Sequence, residues 1–237
     1  WLALDTSVVT TMSPGTFIAF FSAAGMLAKP VRQLSEINSQ IQKGLAAASD
    51  IFNQLDEEPE SNQGKYESQS VEGSISFQNL SFSYKDNLGK ETRVLKDINL
   101  EISSGETVAF VGKSGAGKTT LLSLLPRFYE GYDGQILLDG VSLEDYELKN
   151  LRSHISLVSQ NITLFNDTIS NNISYGLPET DIELIKKAAE KANADEFIRA
   201  MSDGYNTLSG DDGVLLSGGQ RQRIAIARAI LKDSPIL

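Results

Sequence analysis

Between Thr107 and Leu122 an apolar strand is expected to run into a glycine-rich turn and then into an apolar helix. Inside it Gly112, Gly117, Lys118 and Thr119 stand at the spacing G-x-x-x-x-G-K-[ST]. The chemistry this spacing serves is capture of a polyphosphate tail. Backbone N–H groups at a helix N-terminus face negative charge, and glycines let the chain close around it. Lys118 supplies a point charge for the outer phosphates. The Thr119 hydroxyl suits a magnesium ion that keeps most of its other ligands as water or phosphate oxygen. Roughly a hundred residues further on, Leu216-Ser217-Gly218-Gly219-Gln220 places a serine N-cap and two glycines at the start of another apolar-periodic segment. This is a second cluster of donors for an anion. With one phosphate loop per chain, its expected use is the nucleotide of a partner subunit.

The elements that must position these groups can be taken in order. The first stretch without charge runs from Thr6 to Ala28, flanked by Asp5 and Lys29. We expect Asp5 to Gly15 to be a short connection and Thr16 to about Leu34 to be a membrane-spanning helix, with Lys29 and Arg32 marking its cytoplasmic end. No basic leader precedes it, and a signal peptide is not expected. Val31, Leu34, Ile37, Ile41, Leu45, Ala48, Phe52 and Leu55 then recur at spacings of three and four, the pattern of an amphipathic helix leaving the membrane. Residues 1–56 are therefore expected to close a membrane domain, and the polar run 57–70, with Pro59, to be a linker.

From Val71 the period changes to two. Ser74–Tyr84 alternates apolar and polar residues, and Val94–Ile102 does so more loosely. Gln135–Leu138 reads as a strand closed by the turn pair Asp139-Gly140. A helix is expected around 144–151, a strand over Ile155–Val158 that runs out at Gln160, and helices over Asp181–Met201 and Ser217–Leu231. Tyr84 either packs on the sheet or stacks on an adenine ring; the residues alone leave both open. The fold class implied is α/β, a nucleotide-binding layer with an antiparallel β start.

Composition narrows the function classes. Against 31 acidic side chains stand 21 basic ones, a formal charge of −10, and this argues against a nucleic-acid partner. The absence of cysteine excludes disulfides, thiolate metal sites and thiol catalysis. His154, the single histidine, precedes the apolar run ISLVS and is expected to be a strand-end residue with no chemical role.

The phosphate loop at 112–120, the Ser159-Gln160 pair, VLLSGGQRQRIAIARA at 214–229 and Tyr84 together resemble the nucleotide-binding domain of ATP-binding cassette transporters, in that family's order and spacing. The match runs over nearly all of 71–237. It implies a phosphate-loop cassette with an antiparallel β subdomain and a helical subdomain, preceded by the last transmembrane helix of an exporter half-transporter. Gly112, Lys113, Ser114, Gly115, Ala116, Gly117, Lys118, Thr119 and Thr120 would hold ATP, Thr119 and Gln160 would hold Mg2+, and Tyr84 would meet the adenine. Gln160 is also the position assigned a catalytic part. Ser217, Gly218, Gly219 and Gln220 would close over the ATP of the opposite subunit, which implies a homodimer. The stretch 160–172 would sense the outer phosphate and touch the membrane domain, and Asp211 stands where such exporters usually carry glutamate.

Residues 29–52, 137–140, 157–173 and 215–237 resemble, more narrowly, members that export lipid A-type glycolipid across the bacterial inner membrane. Export of drugs or peptides is the alternative, and a soluble cassette ATPase of the chromosome-maintenance type a more distant one. The family's magnesium-binding aspartate, its water-polarising glutamate and its switch histidine match no position in 1–237. The resemblance therefore implies ATP binding without hydrolysis by these residues alone.

Overall fold

A computed structural model describes residues 13–57, 59–86, 89–177 and 179–237. The chain divides into two compact units, Trp1–Ser61 and Asn62–Leu237. Among its described residues the first holds one helix, α1, Pro14–Leu55, 42 residues long. Ser13 caps it, its hydroxyl accepting from the Thr16 N–H at 3.3 Å, and Pro14 stands at the first helical position, where a missing N–H costs nothing. Pro30 lies inside the helix without ending it. Among the described residues no helix is long and apolar enough to cross a membrane. The span expected over Thr16–Leu34 falls on this helix and is not shown by it. Thr16, Ser22, Lys29, Pro30, Arg32 and Gln33 dilute its apolar residues, and residues 6–12, which completed the uncharged run, lie outside the described ones. The two helical stretches read separately from the sequence are one continuous rod, along which Ile37, Ile41, Leu45, Phe52 and Leu55 are exposed.

The second unit is built on an antiparallel sheet. Strands β1 (Ile75–Lys85), β2 (Glu91–Ile102), β3 (Asp133–Leu138) and β4 (Val141–Ser142) lie in the order β2-β1-β3-β4. The alternation read in the sequence sets the register. Ile75 faces Ile102 and Leu138, and Phe77 faces Leu100 and Ile136, so one face of β1 is apolar across three strands. The pattern slips at Asn79, where φ is 51° and the register shifts, after which Leu80, Ser81 and Phe82 are all buried. Asp139 and Gly140, both in the left-handed region at 51° and 80°, make the two-residue turn between Leu138 and Val141. The Asp139 carboxylate also holds the segment entering β1, accepting from the N–H of Glu72 at 2.7 Å and of Ser74 at 2.8 Å. Burial works to raise this carboxyl, but the N–H donors of Ser74, Glu72 and Gly73 outweigh it and hold it below the ordinary carboxylate range.

Two apolar clusters divide the rest. The sheet, with α2 (Lys118–Leu124) and α3 (Leu148–Ser153), encloses Phe77, Leu80, Leu124, Ile136 and Leu151. A helical part, α4 (Ile169–Ile173), α5 (Ile182–Lys191), α6 (Asp195–Arg199) and α7 (Gly218–Lys232), encloses Ile169, Ile173, Ile185, Ile198 and Ile224. The single helix expected over Asp181–Met201 is α5 and α6. Asn193 takes a left-handed φ of 53°, the Ala194 N–H reaches back to Ala189 O at 2.8 Å, and the chain turns.

Two expected strands form no ladder. Residues 107–111 pair with nothing among the described residues, and of Ile155–Val158 only Ile155 makes an isolated parallel bridge, to Ile236. Parallel strands exist only as members of a ladder, so the α/β layer is present here as an antiparallel sheet and helices.

The linker differs as well. From Asn62 the chain is strapped to residues 145–154. Tyr66 N–H donates to Asp145 O at 2.8 Å, Glu147 N–H to Tyr66 O at 2.9 Å, and Ser68 and Asn150 exchange two bonds of 3.0 Å. His154 is buried behind it, with Nε2 3.1 Å from Ser68 O.

Candidate nucleotide-binding site

The phosphate loop is mounted on the sheet through the helix that follows it. Thr120, Leu121 and Leu124 are the buried face of α2. Gly117, its N-cap, has φ 85°, and a Cβ there would stand 2.7 Å from Leu95 Cδ2 on β2. Glycine is thus required at 117 twice over, by backbone conformation and by the approach of the strand. Gly115 shares the left-handed region at 79°, while residues 112–116 are exposed, leaving the concave side of the turn open. Over that side lies the Lys118 ammonium, donating to Gly112 O and Lys113 O, both at 3.0 Å. The lysine is held by its own loop in the position from which it would meet a phosphate. Ser114, Ala116 and Thr119 are exposed around it.

Tyr84 arrives at this site from the end of β1. Its hydroxyl lies 3.1 Å from Thr120 Oγ1, and its ring packs edge-on to Phe82 at 5.0 Å and Tyr129 at 5.2 Å. The two readings of Tyr84 are therefore compatible, since a half-buried ring packed on the sheet also stands next to the loop. The buried Thr120 hydroxyl is directed at Tyr84. Tyr129 is a member of this aromatic group that was not singled out beforehand; the run RFYEGY at 127–132 was its only signal. Tyr84 raises the Tyr129 phenol above its ordinary range, by its charge and by a hydrogen bond.

The second donor cluster stands on the helical part. Ser217 caps α7 in a reciprocal box: the Gln220 N–H donates to Ser217 Oγ at 3.3 Å, and Ser217 N–H to Gln220 Oε1 at 2.8 Å. Because Ser217 Oγ accepts within the box, its proton stays available to an external acceptor. Gly218 and Gly219 are exposed, with no heavy atom within 4 Å of an added Cβ. Val214 and Leu215 beside them are 69% and 70% exposed, an apolar rim.

Among the described residues no hydrogen bond joins Ser217 to the phosphate loop or Gln160 to Thr119. Gln160 is exposed, in a loop that Ser159 turns by donating to Asn161 O. Asp211 accepts from Asn166 Nδ2 at 2.7 Å, tying the segment before the second cluster to that loop. The lysine, the threonines and Tyr84 form one constellation, and Ser217 to Gln220 another on a separate apolar cluster.

Residues 95–237 match the family model described as ABC transporter. The chain belongs to the ABC transporter family. Over its whole length this ABC transporter chain is 50% identical to a Chromohalobacter salexigens protein named ATP-dependent lipid A-core flippase, covering 40% of it. It is 52% identical to the protein of that name from Pseudomonas aeruginosa, covering 38%. It thus spans about 40% of the length of these relatives. Among solved structures it resembles a bacterial Atm1-family ABC exporter with ATP bound, at 35% identity and a TM-score of 0.72, over 89% of this chain and 36% of that one.

Proposed function

We propose that the whole protein is an ATP-driven flippase that moves lipid A-type glycolipid across a bacterial inner membrane, and that it works as a homodimer embedded there. The observation that carries the proposal is the pairing, in one ABC transporter chain, of an open phosphate cradle with a separate exposed helix start whose serine proton is free. Each copy offers what the other copy's cradle lacks. The name shared by relatives 50% and 52% identical supports the cargo.

In this reading Lys118 and the N–H groups of 112–119 bind the phosphates, and the cradle fits them. Its face is open, two of its glycines have positive φ, and its lysine is already poised. Thr119, exposed at the first turn of α2, and Gln160 would hold the magnesium; the metal, when bound, offsets charge on the phosphates. Tyr84 borders the adenine, backed by Phe82 and Tyr129. Ser217, Gly218 and Gly219 meet the nucleotide held by the partner, while Gln220 keeps the cap closed with its side chain.

ATPase activity of the whole protein in bilayers, with and without lipid A and against a panel of drugs and peptides, tests this reading. Stimulation by lipid A at low concentration is the expected result. A response to drugs or peptides with indifference to lipid A would keep the ATPase and overturn the cargo.

A further inference from the structure

Asn172 is 1% exposed on α4, and every side-chain bonding position it has is in use. Its Oδ1 accepts from the Phe165 N–H at 2.9 Å and from Arg228 at 3.3 Å, while the two hydrogens of Nδ2 go to Phe165 O at 2.9 Å and Thr168 O at 3.1 Å, with Ser209 Oγ 3.3 Å away. Arg228 stands eleven residues beyond Ser217 on the same α7. It grips Asn172 O at 2.8 Å and Thr163 O at 3.3 Å, three residues past Gln160. Ser209 completes the closure, with its hydroxyl donating to Phe165 O at 2.7 Å and its N–H to Asp167 O at 3.0 Å. The loop that leaves Gln160 is therefore tied at several levels to the helix that presents Ser217. Burial lowers the Arg228 guanidinium from its ordinary range, as it does where a cation is held by dipoles in place of a carboxylate.

We propose that Asn172, with Arg228 as its partner on α7, is a positioning residue that makes the Gln160 loop and the Ser217 helix start move as one body. A displacement of the loop exit at Thr163 is thereby delivered to Ser217, and the converse. Neither side chain touches the phosphate cradle, so the joint sets when the composite site closes and leaves binding of nucleotide to a single cassette untouched. This inference rests on the reading of Ser217 and Gln160 given under the proposed function. A network in which each donor and acceptor is satisfied is stiff, and a single isosteric change strands several buried partners.

The test uses the whole protein and the variants Asn172→Asp, which keeps shape but turns the Nδ2 donor into an acceptor, and Arg228→Lys, which loses the two-ended grip and leaves Asn172 in place. Expected for both is a fall in ATPase kcat of about tenfold or more with KM for ATP within about twofold, and a double variant no worse than the worse single. In the nucleotide-free protein, hydrogen exchange should quicken at the amides of 163–172 and at the start of α7 together. If Asn172→Asp does not fold, Arg228→Lys decides alone. Unchanged kcat in a folded variant, exchange that quickens in the loop and not in α7, or a KM that rises as far as kcat falls, would each overturn the inference. A wild type without ATPase activity sinks the function reading; an active wild type with equally active variants sinks only the joint.

Discussion

Under the proposed function the two donor clusters solve the same problem, presenting backbone N–H groups to an anion, by opposite means. At the phosphate loop the work is done by packing. Gly117 lies against Leu95, Thr120 is buried against Tyr84, and the loop keeps its shape because the sheet is beneath it. At α7 the geometry is local. Ser217 and Gln220 cap each other within four residues, and Gly218 and Gly219 have nothing near them. A site shaped by its own fold and a site left bare differ in what a substitution costs. The first loses stability and binding together, whereas the second loses only what a partner would have contacted.

The largest expected effect is at Lys118. Replacing it by Ala in the whole protein should weaken ATP binding about a hundredfold, the scale for removing one charge from a close pair, as read by equilibrium binding of a fluorescent ATP analogue. Unchanged affinity would refute the assignment of the cradle.

Next comes a matched pair of glycines. Gly117→Ala forces a left-handed alanine into contact with Leu95 and should cost about 1–3 kcal/mol of stability, measured by denaturant unfolding. Gly219→Ala meets open space within a helix and should leave stability unchanged or raise it by up to about 1 kcal/mol, while ATP-driven association of two cassettes is lost. Equal destabilisation at both positions would erase the contrast.

Asp139→Asn tests the sheet that carries the cradle. Loss of a carboxylate that accepts from three backbone N–H groups should cost about 1–2 kcal/mol at neutral pH, toward the lower end for charged hydrogen bonds because the group is partly exposed. Its folded pKa lies below the unfolded value. The stabilisation is therefore fully present above the unfolded carboxylate range, near pH 4, and disappears as pH falls through the folded value. The Tm difference between wild type and variant should shrink in acid, and a gap constant with pH would contradict the assignment.

A smaller loss than at Asp139 is expected at Ser217. Ser217→Ala removes a cap worth about 1 kcal/mol and should leave ATP binding by a single cassette intact while weakening association. Loss of binding as large as that at Lys118 would place Ser217 in the wrong site.

Sequence reading reached furthest where the signal is local. The spacing of Gly112, Gly117, Lys118 and Thr119, the cap at Ser217, the alternation of β1 and the turn at Asp139-Gly140 are each decided within a few residues, because capping, handedness and period are short-range properties. The segments that diverged depend on distant neighbours. Residues 107–111 are mostly apolar, yet a parallel strand needs a partner, and of the two expected strands only Ile155 makes a bridge among the described residues, to Ile236. The run 57–70 looks like a linker by composition, but from Asn62 it is strapped to residues 145–154 by hydrogen bonds that carry no sequence signature, those of Asn62 and Ser68 reaching over eighty positions away.

Asn172 is the extreme case. Alone, an asparagine between Asn171 and Ile173 carries no sign of its partners, and only the fold brings Phe165, Ser209 and Arg228 to its one amide. The sequence by itself determined the phosphate-loop spacing at 112–119 and the capped glycine pair at 217–220, since both are written in contiguous residues. Tertiary structure alone decided which of its polar side chains are buried joints, because a hydrogen bond between positions dozens of residues apart leaves no mark on the periodicity of either.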